Sequence, residues 1–144
     1  MGGLARHAMS EQSRPSAAAR APSSRFEAWA VAVFGASAVA LGALGAHALQ
    51  GHLSAPLLAV WHTAVEYQFW HALALALVML AAPAGRARQV ARNALMLGML
   101  LFCGSLYALA LGAPRWIGLI TPFGGVALII GWLALGAACL RRQG

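Results

Sequence analysis

Lysine is missing from this chain and acidic residues are scarce, three against ten arginines in 144 residues. Charged residues make up only 9% of the sequence, where soluble domains carry about a quarter. Hydrophobic residues reach 61% with a mean hydropathy of +0.73, well beyond the roughly half-apolar norm of soluble domains. That balance excludes a water-soluble globular domain and indicates an integral membrane protein. Cysteine is nearly absent too. Cys103 and Cys139 both lie inside apolar runs, one near mid-span and one near a span end, which leaves neither a disulfide framework nor a CxxC site. The net charge of +7 would suggest nucleic acid in a soluble chain. Here the arginines sit in tails and loops, where they set membrane topology, and no nucleic-acid partner is expected.

What is present is apolar sequence in lengths that match a bilayer. Residues 1 to 25, with "RPSAAARAPSSR", lack the periodicity of a core and read as a disordered tail. Arg6 stands where the myristoylation pattern requires Ser or Thr, so lipidation at Gly2 is not expected. The rest, 26–144, reads as one four-span domain with spans at 28–49, 61–82, 93–111 and 116–140, separated at Pro56, at Pro83 with Gly85, and at Pro114. The chain leaves little for an extramembrane domain. Every backbone polar group must be paired internally in lipid, so the expected fold is all-α, an integral membrane four-helix bundle.

Arginine placement orients it. Arg6, Arg14, Arg20 and Arg25 precede the first span, Arg86, Arg88 and Arg92 lie between the second and third, and Arg141 and Arg142 follow the fourth, against Arg115 alone on the other side. Both termini are expected in the cytoplasm, with Trp61 and Trp116 at the outer interface and Trp29 at the inner one. A competing reading makes the first span a cleaved signal peptide, because "AHA" at 46–48 resembles a cleavage site. Its apolar stretch is longer than a signal core.

Small residues recur at helical spacing. Gly35, Ala38, Gly42 and Gly45 mark the first span, Gly104, Ala108 and Gly112 the third, and Gly124, Ala127, Gly131, Ala134 and Ala138 the fourth, with Gly125 beside that row. Such rows are expected helix contact faces, serving packing within one bundle or a homodimer seam.

The polar residues inside these spans are few. "EYQFWHALALAL" opens the second span with Glu66, Tyr67, Gln68 and His71. Counted from Trp61, Glu66 lies about 7 Å and His71 about 15 Å down the helix. An ionised carboxylate in mid-membrane costs roughly 2.5–3.5 kcal/mol, so Glu66 must be protonated, paired or wet. Together with His47, Tyr67, Ser105, Tyr107 and Thr121, Glu66 and His71 form a candidate polar cluster in the outer half. Two readings compete: a hydrogen-bonded network that fixes helix register, and a proton, ion or small-solute site. His62 and His71 point to opposite sides of their helix and cannot share a metal, and no tight ligand spacing occurs elsewhere, so no metal site is assigned. A haem between His47 and His71 is opposed by their different depths. "FCGSLY" is a packing segment rather than a nucleophile elbow. Neither enzymatic chemistry nor a cofactor is expected.

Four segments in order, "GALGAHAL", "EYQFWHALAL", "LFCGSLYALAL" and "ITPFGGVALIIGW", resemble the family of small four-span membrane proteins catalogued as domain of unknown function 423, with bacterial inner-membrane members and eukaryotic transmembrane relatives. The resemblance spans nearly everything after the tail. It implies an inner-membrane location and no particular activity. Its motif positions fall on Gly42, Gly45, His47, Tyr67, Gln68, His71, Gly104, Ser105, Tyr107, Thr121, Pro122, Gly124, Gly125, Gly131 and Trp132. The tail extends beyond the family's usual start, which makes Met9 an alternative initiation site. Thr121 ahead of Pro122 is expected to cap the fourth span, which would begin with a short interfacial segment. The expected role is that of a structural, accessory or interaction protein whose partners are the bilayer, a second copy or other membrane proteins; the alternative is proton, ion or solute binding or transport through Glu66, His71 and His47.

Overall fold

A computed structural model describes residues 25–141. The tail before them, with Met9 and its arginines, and Arg142 lie outside the described residues. Four long helices follow in sequence: α1 (Arg25–His47), α2 (Ala55–Ala81), α3 (Arg86–Ala110) and α4 (Thr121–Leu140). A 3-10 helix, Arg115–Leu119, precedes α4, which is the short segment expected before the fourth span. Each of the four is long and apolar enough to cross a membrane.

Local chemistry sets the ends. Pro56 lies in the first turn of α2 and Pro122 in that of α4, where a missing N–H costs no helical bond. Beyond the end of α3, Gly112 takes a positive φ of 91°, and the chain closes on itself through Gly112 N–H to the Leu109 carbonyl (3.1 Å) and Ala113 N–H to the Ala108 carbonyl (2.9 Å). This Schellman arrangement needs a left-handed residue, which glycine supplies without strain. Pro114 then prevents the helix from resuming.

α2 starts six residues before the apolar run at Trp61, and α3 starts seven before the run at Asn93. Hydropathy marks only the part of a helix that sits in hydrocarbon; the backbone stays helical through the polar boundary where side chains can reach water or each other. At about 1.5 Å per residue, α2 is about 40 Å long, longer than the hydrocarbon core.

Packing follows chain order. α2 lies against both α1 and α3, α3 against α4, and α2 approaches α4 more narrowly, whereas the backbones of α1 and α4 do not meet. Leu75 and Val78 of α2, Leu95 and Met99 of α3, and Leu128 and Leu135 of α4 form the core, with Val31 and Phe34 of α1 laid over it. In lipid, burying apolar surface gives helices no net drive to associate, so close van der Waals fit must do it. Glycines make that fit. A Cβ at Gly124 would stand 2.8 Å from the Phe102 Cα, one at Gly98 2.9 Å from the Leu128 backbone nitrogen, and one at Gly131 2.7 Å from the Leu95 side chain. On the α1–α2 side, Gly45 lies beneath the Trp61 indole and Gly42 faces Val65.

Several expected contact glycines differ. Gly35 and Gly104 have no neighbour within 4 Å of where a Cβ would stand, nor does Gly112, which lies beyond the end of α3, and Gly125 makes only an ordinary contact with the Phe102 ring. With steps of three and four, a small-residue row wraps more of the helix than one neighbour covers, and the helical ones among these positions fall on the uncovered side. Gly98, which belonged to no row, is among the tightest approaches.

Trp61 also departs from expectation. It is 2% exposed, inside the bundle rather than at the outer interface, and its indole N–H donates to the Leu41 carbonyl at 2.9 Å. Trp29 and Trp116 are exposed near opposite ends of the bundle.

Candidate functional site

The polar side chains within the spans gather into separate groups rather than one. The first centres on Gln68, 5% exposed in mid-α2. Its amide nitrogen donates to the Phe34 carbonyl (2.9 Å) and to the Ser37 hydroxyl (2.7 Å), and its Oε1 accepts from the Tyr107 hydroxyl (3.0 Å). One side chain thereby ties α1, α2 and α3. Tyr107 in turn meets Trp61 edge to face, with ring centroids 4.7 Å apart. Gln68 was a motif position and not a candidate site residue. Its lack of charge hid it among apolar neighbours, although an amide with two donors and an acceptor is well suited to bridge helices.

Ser105 and Thr121 form a second group, their hydroxyls 2.7 Å apart between α3 and α4. Contrary to the expectation from sequence, Thr121 does not cap α4 with its side chain; Ile120 holds the cap position, and the threonine hydroxyl faces Ser105 instead. Close passage of α4 over α3 at Gly124 brings the two hydroxyls together, and because Ser105 donates to the Phe102 carbonyl (2.9 Å), its oxygen is left to accept from Thr121.

His71, 8% exposed, places Nδ1 2.6 Å from the Tyr67 carbonyl one turn earlier. A carbonyl only accepts, so Nδ1 carries the proton and donates. The imidazole lies between Tyr67, stacked on it at 5.7 Å, and the edge of Trp132 at 6.3 Å, while Tyr67 also stacks on Phe102 at 4.6 Å. His71 therefore serves as an aromatic element at the α2–α3–α4 junction.

Glu66 and His47 join none of these. Both are exposed, and their side chains make no hydrogen bond or ion pair among the described residues. The expected meeting of His47, Glu66 and Tyr107 does not occur, for a reason of helix phase. Most buried positions of α2, Trp61, Ala64, Gln68, His71, Leu75 and Val78, recur every three or four residues, with Ala72 and Ala74 beside them. Glu66 lies on the opposite side of that helix with Thr63, Trp70, Leu73 and Leu77, all exposed.

Another polar cluster was not anticipated. Glu27, 4% exposed in the first turn of α1, accepts from Arg88 Nη2 at 2.5 Å and from Arg92 Nη1 at 3.1 Å, both on the first turns of α3. Arg88, 6% exposed, also donates to the Ala82 carbonyl at 3.1 Å. Arg88 and Arg92 are four apart and so share a helix face. Two of the arginines that mark topology also form ion pairs with an acid at the start of the first span. A signal was available: the arginine pattern placed all three charges on one side of the membrane.

Every buried side-chain nitrogen and oxygen among the described residues has a hydrogen-bond partner. The internal groups are thus mutually satisfied and fix the register of the helices. Glu66, whose side chain has no internal partner, points out of the bundle.

The family model described as "Protein of unknown function (DUF423)" matches residues 41–125, from the middle of α1 into α4. Similar proteins include a UPF0382 membrane protein of Staphylococcus epidermidis, 43% identical over 108 residues that cover 74% of this chain and 88% of the relative. YwdK of Bacillus subtilis, also a UPF0382 membrane protein, is 43% identical over 107 residues, 72% of this chain and 87% of its own. The inner membrane protein YgdD of Escherichia coli is 39% identical over 127 residues, 84% of this chain and 95% of its own. No solved structure matches the chain. With four membrane-length helices, interior polar groups closed upon one another and relatives named as membrane proteins across bacteria, this chain belongs to the DUF423 (UPF0382) family of membrane proteins.

Proposed function

We propose that this chain is a non-catalytic membrane interaction protein, with both termini in the cytoplasm, whose α2 docks its outer face on another membrane helix. The orientation is supported by Arg25, Arg86, Arg88, Arg92 and Arg141 at one end of the bundle against Arg115 at the other. The observation that carries the docking role is the direction of Glu66. It lies about 16 Å along α2, within the hydrocarbon-spanning part, and faces away from α1, α3 and α4. Trp70, one turn further on the same face and 62% exposed, presents an indole N–H without a hydrogen-bond acceptor among the described residues. A carboxyl there costs roughly 2.5–3.5 kcal/mol if charged in lipid. A helix that brings a donor to Glu66 and an acceptor to Trp70 removes that penalty. Since the bundle's interior polar groups are already paired, association rather than conduction is the reading the geometry favours.

A photo-activatable cross-linker in place of Leu73, on the same face, tests this in intact membranes. The expected outcome is capture of a second copy or another membrane protein, reduced at least tenfold by Glu66→Leu, with the stability of the isolated chain unchanged within about 0.5 kcal/mol because the residue is exposed. Undiminished capture refutes the docking face. A proton or ion flux through vesicles of the wild-type protein, abolished by Glu66→Gln, would replace association by conduction.

A further inference from the structure

At the arginine-bearing end of the bundle, charge is out of balance. Glu27 is engaged by Arg88 and Arg92. The side chains of Arg86 and Arg141 make no ion pair or hydrogen bond among the described residues. Both line a cavity of about 160 Å³ between the α2–α3 connection and the end of α4, together with Gly85, Arg88 and Ala138. Three arginines thus border one small space. The first turn of α3 opens on the same place without a side-chain cap, so its free N–H groups add to the positive field.

Arg86 also heads a second hollow. An open groove of about 430 Å³ runs along α3 from Arg86 past Gln89 and Asn93 to Val90, Ala94 and Leu97. The charged residue, Arg86, stands at the helix end, Gln89 and Asn93 alternate with Val90 and Ala94 below it, and Leu97 lies deepest toward mid-membrane. That order matches the amphiphilic profile of a phospholipid, phosphate and glycerol above, acyl chain below.

We propose that the cavity and groove together bind one anionic phospholipid, its headgroup phosphate on Arg86 and Arg141 and one acyl chain along Val90, Ala94 and Leu97. Arginine suits the phosphate because its planar fork donates two parallel hydrogen bonds. Basic recesses between helices at a membrane surface are where such headgroups are recognised. Arg88 remains committed to Glu27 and contributes only its field.

Native mass spectrometry of the full-length protein in mild detergent, titrated with phosphatidylglycerol or phosphatidylcholine, tests the site. Each arginine at a membrane surface is worth about fivefold in affinity for an anionic headgroup, so removal of two should cost about 30-fold. The expected result is one retained phosphatidylglycerol, favoured over phosphatidylcholine, and loss of about 30-fold of that preference in Arg86→Gln/Arg141→Gln. Arg115→Gln, at the other end, should leave it unchanged. Both altered arginines are exposed, and far-UV circular dichroism checks that the helices persist. Equal retention of the two lipids overturns the proposal, as does unchanged preference in the double variant. Displacement of the lipid by low-millimolar inorganic phosphate would also overturn it, assigning the cavity to a soluble anion.

Discussion

Replacing Glu27 by alanine removes the carboxylate that joins α1 to α3 and leaves Arg88 buried without its counter-ion. Its side chain is 7% exposed and that of Glu27 5%, so neither charge has useful access to water. Breaking a buried pair by removing one member costs about 3–5 kcal/mol, mostly because the remaining charge is stranded. Arg92 adds little, since its side chain is 25% exposed and exposed pairs contribute about 0.2–1 kcal/mol. Glu27→Ala should therefore lower stability by about 3–5 kcal/mol and Arg92→Ala by at most about 1 kcal/mol. Replacing both buried members with leucine should recover most of the loss, because an apolar substitute for a buried ion pair is often neutral or stabilising. Equilibrium unfolding of the purified chain in mixed micelles of rising dodecyl sulfate content, followed by circular dichroism, measures all of these. A Glu27→Ala protein within 1 kcal/mol of wild type would refute the reasoning, as would a Glu27→Leu/Arg88→Leu protein no more stable than the single variant.

Three further outcomes can be checked in the same assay. Gly124→Ala forces a methyl group onto the Phe102 backbone and should cost about 1–3 kcal/mol, whereas Gly104→Ala, with open space around it, should be neutral or slightly stabilising. Tyr107→Phe deletes one interhelical hydrogen bond and should cost about 0.6 kcal/mol, near the average for such bonds in membranes. Gln68→Leu should cost more, about 1–3 kcal/mol, because it strands the Tyr107 hydroxyl and withdraws the donor from both Ser37 and the Phe34 carbonyl.

Some of the site was legible before the fold was known and some was not. Ser105, Thr121, Tyr107 and His71 were recognisable because a polar side chain within an apolar run must find a partner. Which partner was hidden, because spacing within one helix gives direction but not the identity of the neighbour. Glu66 illustrates the limit: helical phase set it apart from Gln68, yet only the neighbours of α2 decide which of the two sides is inside. Glu27 was overlooked for the opposite reason. It lies at a span boundary, where a charge looks solvated, and its burial depends on α3 extending past its apolar run to bring Arg88 and Arg92 across.

By itself, the sequence determined that this is a membrane protein of four helices, roughly where each crosses, and where the chain must turn. Those properties follow from the length of apolar runs, from proline and glycine, and from the need to pair every backbone group in lipid, all of which act locally. The tertiary structure alone decided which glycines are contacts, that Trp61 is core, that Gln68 joins three helices, and that Glu66 faces outward. These depend on how helices rotate and cross, a choice set by close packing among several near-equivalent faces, and no single stretch of sequence contains it.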